Sequence, residues 1–352
     1  MKTIAQKLLN WFQVNRRSLP WRNTTDPYAI WVSEVMLQQT QVNTVIPYYE
    51  RFLNSFPNIA TLAKSDPDHV LKHWEGLGYY ARAINLQKAS QIVVDQFSGS
   101  VPKDPSLFKQ LPGVGDYINA AVQSIAFGHR IAVVDGNVRR VLSRLYEMTE
   151  TVNESKHAKI FANKAQTLLC KQNPGDFNQA IMELGALICM PRKPQCNKCP
   201  LTKDCNAFIH ETISTFPMRK KKAVVPTQNW VAAVIQKDNK YLLTQRKTGG
   251  FLGGLWEFPG GKIFNNERYQ NACVRHIKEQ LQIKIQIKRH IAQIKHKYTH
   301  FNQTMDAFLC RYQSGSIVLN GPSNYKWINW SELDRFALPK SNLKFLKKFQ
   351  YE

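Results

Sequence analysis

The sequence predicts a mainly α-helical N-terminal domain with a cysteine-rich metal loop, followed by a smaller α+β domain. Three observations carry this. The chain has 352 residues, too many for one ordinary domain and enough to bury a core in each of two. Apolar residues recur at helical spacing through the first two thirds and alternate as in strands in the last third. Between the two textures lie Pro217, the run Arg219-Lys220-Lys221-Lys222, and Pro226, the composition of a connector. The expected boundaries are 1–211 for the helical domain, 212–229 for a basic linker and 230–350 for the α+β domain.

The elements follow in order. Ile4, Leu8, Trp11 and Phe12 make an amphipathic opening helix. Tyr28 to Thr40 and Tyr80 to Phe97 are helix-length segments free of Gly and Pro. Asp104-Pro105 supplies a cap and then proline at the first helical position. Beyond the linker, Trp230 to Ile235 and Lys240 to Thr244 read as a strand pair around Asp238-Asn239. Glu267 to Leu281 suits a helix, and Lys284 to Lys288 alternates with period two.

Composition narrows the function classes. With 43% hydrophobic and 11% aromatic residues the chain is globular. No apolar run approaches the ~20 residues that span a bilayer, so no membrane role is expected. The first residues lack the apolar core of a signal peptide, and the simplest expectation is a cytoplasmic monomer. Lys and Arg number 48 against 25 Asp and Glu, which points to a polyanionic partner. From Thr215 onward the balance is 24 against 8, so much of the positive field lies in the last third.

Seven cysteines, an odd number with four clustered, argue against a secreted disulfide framework. Cys170, Cys273 and Cys310 are scattered and read as small buried hydrophobes. Cys189, Cys196, Cys199 and Cys205 have the spacing C-x6-C-x2-C-x5-C, and four thiolates so close will hold a soft metal centre. Zinc and an iron–sulfur cluster both accept four cysteines, although zinc ribbons present two C-x2-C knuckles and this chain has one.

Leu111-Pro112-Gly113-Val114-Gly115 sits between helical segments. It is either an ordinary tight turn or a loop that brings backbone amides to an anion. Two carboxyl groups stand out. Glu34 lies within Trp31 to Thr40 on a helix face shared with Ile30 and Leu37, where an apolar setting would raise its pKa. The ordinary reading is a structural acid paired with arginine. Asp135 follows the apolar run Ile131 to Val134 and opens a helix, where an N-cap is the common reason for aspartate.

Taken together, W-V-S-E-V-M-L-Q-Q-T-Q-V, L-P-G-V-G, V-D-G-N-V-R-R-V and the cysteine loop resemble the MutY-type adenine DNA glycosylases of the endonuclease III superfamily, in order and approximate spacing. The resemblance covers nearly the whole chain. It implies a helix–hairpin–helix glycosylase domain whose Gly113, Val114 and Gly115 grip the DNA backbone. It implies one 4Fe–4S cluster on the loop 189–205. It makes Glu34 the acid that protonates adenine and later activates water, and Asp135 the carboxylate that stabilises the sugar cation, with Asn137 bonded beside it. Where lyases of the superfamily carry a nucleophilic lysine, this chain has Tyr117, which cannot form a Schiff base; the expectation is a monofunctional enzyme. Leu19, Trp21, Arg22 and Gln179 resemble the adenine pocket. By the same resemblance Leu77 and Tyr79 would stack near the opposing base, and Gln39 and Thr40 would fill the space beside it when adenine is flipped out.

The C-terminal region resembles the Nudix-like domain of the same family. Gly260-Gly261, Glu267 and Arg275 fit the start of the Nudix box, but Arg275-His276-Ile277-Lys278-Glu279-Gln280 lacks two of its acids, which argues against Mg²⁺-dependent pyrophosphate hydrolysis. Tyr298-Thr299-His300 occupies the place of a lesion-reading Phe-Ser-His. The implied partner is duplex DNA containing adenine opposite 8-oxoguanine or guanine, nucleoid-associated if the source is bacterial.

Overall fold

A computed structural model describes residues 2–221 and 224–349. Among these, the chain divides into two compact units: residues 2–64 with 88–221, and residues 65–87 with 224–349. In chain order the helices are α1 (Ile4–Asn15), α2 (Pro27–Leu37), α3 (Val42–Ser55), α4 (Ile59–Lys64), α5 (Pro67–Trp74), α6 (Ala81–Phe97), α7 (Pro105–Lys109), α8 (Asp116–Phe127), α9 (Gly136–Tyr146), α10 (Ala158–Leu168), α11 (Pro174–Leu187) and α12 (Asn206–Ile209). They are followed by β1 (Thr227–Lys237), β2 (Lys240–Gln245), β3 (Trp256–Glu257), β4 (Gly260–Lys262), α13 (Tyr269–Leu281), β5 (Lys284–Lys297), β6 (Asn302–Ser314), β7 (Asn324–Ile328) and α14 (Lys340–Leu346).

In the helical unit, local signals set the helix starts. Asp26 accepts from the amides of Tyr28 and Ala29, and Pro27 follows it at the first position of α2. Every residue of α2 from Tyr28 to Met36 is buried, including Glu34. A helix apolar on all sides belongs at the centre of a core, and α2 packs against both α3 and α8. The helix expected to run to Thr40 ends at Leu37: Gln38 leaves helical geometry with ψ 111° and Gln39 adopts φ 59°. A second cluster gathers Leu8 and Phe12 of α1, Val138, Val141 and Leu142 of α9, and Phe177, Ile181 and Leu184 of α11.

The α+β unit holds one mixed sheet in the order β3-β2-β1-β6-β5, with β4 pairing β1 and β7 pairing β2. β1 and β6 run parallel and the other pairs are antiparallel. Alternation along β1 feeds two cores. Val231, Ala233 and Ile235 meet Ala272, Ile277 and Leu281 of α13, while Ala232 and Val234 join Trp256, Phe258 and Phe345. Cys273 and Cys310 lie in the α13 core, fully buried, whereas Cys170 is only half-buried. Two expectations change here. The linker expected over 212–229 ends earlier, since Thr227 to Asn229 already pair with Asn302 to Thr304 of β6. The strand expected at Lys284 to Lys288 continues to Lys297, and β-bulges restart its register against β6.

Close approach of α9 and α11 requires glycine at Gly185, where an added Cβ would lie 2.6 Å from the Cβ of Asn137. Gly185→Ala should therefore force the helices apart and cost about 1–3 kcal/mol, the usual penalty of overpacking. A thermal melt beside the unaltered chain measures it; an unchanged midpoint would contradict this contact.

Candidate active site

One cavity of the helical unit, about 140 Å³ in volume, collects most of the residues singled out from the sequence. Leu19, Trp21, Arg22, Glu34, Thr40, Tyr117, Asp135, Asn137 and Gln179 all line it. The size is comparable to the ~150 Å³ cavity that admits a benzene ring. Gln39 lies outside this lining and is exposed.

α2 carries Glu34 into the core, and α8 brings Tyr117 to meet it. The Tyr117 hydroxyl donates to Glu34 Oε2 at 2.5 Å. Burial pushes the Glu34 carboxyl from 4.5 up to about 7, against the opposing pull of the Tyr117 bond; the nearby Asp135 adds to the rise and Arg22 lowers it. Burial also raises Tyr117 well above the ordinary phenol range, so it stays a hydrogen-bond donor. Asp135 is differently placed. As N-cap of α9 it accepts from Val138 N at 2.7 Å and from Asn137 Nδ2 at 2.9 Å. Burial raises its pKa, and those two donors favour the carboxylate. One cavity thus offers an acid able to hold a proton near neutrality and a carboxylate supplied with donors.

The hairpin before α8 turns at Gly113, whose φ of 80° favours glycine. Gly115 caps α8 without a side-chain acceptor, so the first amides of the helix have no intrahelical partner, and such amides suit an anion. Val114 is buried, and its amide already donates to Leu111 O at 3.1 Å, which closes the turn.

The four clustered cysteines line a second, smaller cavity with Arg144, Ile188, Pro194, Thr202, Phe208 and Ile213. Arg144 Nη1 donates to Cys189 Sγ at 3.3 Å. Burial pushes the Cys199 thiol up to about 12. Among the described residues, no three His, Cys, Asp or Glu side chains are grouped to hold a single metal ion.

The remaining predicted residues belong to the α+β unit. Leu77 is buried and Tyr79 exposed, with φ 49°. Tyr79 Oη and Thr299 Oγ1 are 2.8 Å apart. Tyr298 turns into its own unit, bonding Ser341 Oγ at 3.1 Å and packing on Phe251 and Phe301, while Thr299 and His300 are exposed.

Comparison with known proteins fits this geometry. Residues 32–167 match the HhH-GPD superfamily of base excision DNA repair proteins, and residues 230–348 match the NUDIX domain. The chain is 33% identical to an adenine DNA glycosylase of Buchnera aphidicola (subspecies Schizaphis graminum), over 98% of each chain. It is 32% identical to that of Mus musculus, covering 97% of this chain and 77% of the mouse protein. The chain belongs to the adenine DNA glycosylase family. A solved thermostable thymine-DNA glycosylase aligns with 58% of this chain and 95% of its own at 32% identity and a TM-score of 0.54.

This glycosylase is a base-excision-repair hydrolase acting on DNA, and no helix among the described residues is long and apolar enough to cross a membrane. Its Nudix helix is closed by hydrogen bonds. Gln280 Nε2 donates to Gly260 O at 2.9 Å, a His276 ring nitrogen lies 2.8 Å from Lys262 O, and Glu267 and Glu279 are both tied to Arg275. Sequence reading missed Glu183. It lies buried at the cavity wall, where Arg17 and Arg22 grip both its oxygens at 2.6–3.0 Å. Burial would raise its pKa, but those arginine bonds outweigh it and hold the group at about 2. The available signal was its position four residues after Gln179, on the same face of α11. Arg140 was also missed: it bonds Asn137 Oδ1 at 2.8 Å and Cys189 O at 2.7 Å.

The Glu34 shift fixes a pH dependence. The proton is held below about 7 and lost above it. With Glu34 as the proton donor proposed below, the excision rate should fall tenfold per pH unit above that point. Tyr117→Phe removes a bond that favours the carboxylate and should move this limb to higher pH. Single-turnover rates across pH 5–9 measure both; a limb near 4.5 would contradict the burial argument.

Proposed function

We propose that this enzyme hydrolyses the N-glycosidic bond of adenine paired with 8-oxoguanine, or with guanine, as a monofunctional and monomeric glycosylase. The observation that carries the proposal is the single cavity shared by a protonated Glu34 and a capped Asp135 carboxylate. Glu34 donates its proton to a ring nitrogen of the flipped adenine. The C–N bond breaks, its electron pair leaves with the base, and Asp135 stabilises the positive charge left on the sugar. Glu34, now ionised, takes a proton from the water that adds to the sugar carbon. Tyr117 steadies Glu34 by its hydroxyl and offers no amine for a Schiff base. Gln179, Arg22 and Trp21 would contact the base.

The cysteine loop fits one 4Fe–4S cluster held by Cys189, Cys196, Cys199 and Cys205. The donors are soft and line one cavity, and their spacing holds one C-x2-C pair where zinc ribbons present two. The cluster would supply rigidity to the loop and no chemistry at the base. Tyr298, Thr299 and His300, with Tyr79 and Leu77, would read the opposite base. The Gly113-Val114-Gly115 turn, held by the Val114 amide on Leu111 O, would bind backbone phosphate through its glycine amides.

Adenine release from A:8-oxoguanine and A:G duplexes tests this directly. Release is expected from both, faster from the first, without a borohydride-trapped adduct. Glu34→Gln and Asp135→Asn should each lose about 10²-fold or more. A trapped covalent adduct, or full activity of Glu34→Gln, would overturn the mechanism.

A further inference from the structure

Residues 65–87 are bound into the α+β unit by contacts that no motif announces. Trp256 Nε1 donates to Asp68 Oδ2 and Gln245 Nε2 to Asp68 Oδ1, each at 2.9 Å. The Trp256 ring is buried, and a buried indole N–H needs an acceptor; a carboxylate distant in sequence provides it. At the C-cap of α5, Glu75 Oε1 accepts from Leu338 N at 2.7 Å. Lys72 Nζ bridges Glu75 Oε2 at 2.7 Å and Phe336 O at 3.2 Å. Leu71 and Ile84 close over the bare backbone of Gly254. Between α5 and α6 lies Leu77-Gly78-Tyr79-Tyr80, and there the Tyr79 hydroxyl meets Thr299.

This arrangement gives the Leu77–Tyr80 turn an anchor at both ends. Its tip touches the Tyr298–His300 loop. Its base, α5, is fixed to β2, β3 and the segment before α14 through two acidic side chains. We propose that Asp68 and Glu75 are positioning residues for opposite-base discrimination: they fasten α5 to the C-terminal sheet, so that the Leu77–Tyr80 turn and the Tyr298–His300 loop form one rigid reading head. The inference rests on the 8-oxoguanine reading given above. Neither residue touches the DNA base under this scheme. Each sets the register of a neighbouring turn whose placement by a fraction of an ångström separates an oxidised from an ordinary guanine.

The test uses the full chain with Asp68→Asn and, separately, Glu75→Gln. An amide at 68 offers one acceptor oxygen where Trp256 and Gln245 present two donors; an amide at 75 weakens the hold on Lys72 while keeping its shape. Single-turnover adenine release is measured on A:8-oxoguanine and A:G duplexes. The ratio of the two rates should fall by about tenfold in Asp68→Asn, the scale of one charge-assisted hydrogen bond, and less in Glu75→Gln. The rate on A:G should change little, which a general folding defect would not allow. If Asp68→Asn fails to fold, the ratio in Glu75→Gln decides. An unchanged ratio, or equal losses on both duplexes, overturns the inference and leaves the 8-oxoguanine reading intact. No preference in the unaltered chain sinks that reading first and the inference with it.

Discussion

The burial of one carboxyl group governs the helical unit. Placing Glu34 inside a helix that is apolar on every side costs its ionised form on the order of 3 kcal/mol, taking its pKa from 4.5 to about 7. The Tyr117 hydroxyl offsets part of that penalty and fixes the group's direction. Linkage gives the sign. The unfolded chain sheds this proton near 4.5 and the folded chain near 7, so the stability it contributes falls as pH rises through that window. The fold tolerates the loss because the same helix buries Trp31, Val32 and Met36 almost completely. The raised pKa is thus sustained by stability that its apolar neighbours supply.

α9 organises the other half of the site. Asp135 caps it, Asn137 bonds the cap, and Arg140 ties Asn137 to the backbone of Cys189. One turn on, Arg144 bonds the Cys189 sulfur and the carbonyl of Met190. Each step is a short contact along one helix, so the carboxylate and the cysteine loop share a single rigid support. Gly185 admits α11 against this helix, and α11 brings Gln179 and Glu183 to the cavity.

Much of this was legible in the sequence because it rests on local signals. Asp104-Pro105 marks a helix start by capping chemistry alone, and the structure starts α7 there. Glu34 and Asp135 stood out because each breaks an apolar run. What stayed hidden depends on partners far away in the chain. Nothing near Glu183 shows that Arg17, 166 residues earlier, will neutralise it. Nothing near Asp68 points to Trp256, 188 residues on. For the same reason a boundary drawn once, at the linker, misses residues 65–87, which lie early in the chain yet cluster with its C-terminal sheet. The end of α2 at Leu37 was missed too, because Gln38 and Gln39 carry no glycine or proline to announce it.

The protonation of Glu34 is the claim on which the chemistry stands. Isotope-edited infrared titration of the glutamate carboxyls, comparing the intact enzyme with Glu34→Gln, isolates this one group without recourse to activity. The account expects a single carboxylic acid band lost with a midpoint near pH 7 and absent from the variant. A carboxylate already fully ionised at pH 6 would contradict it.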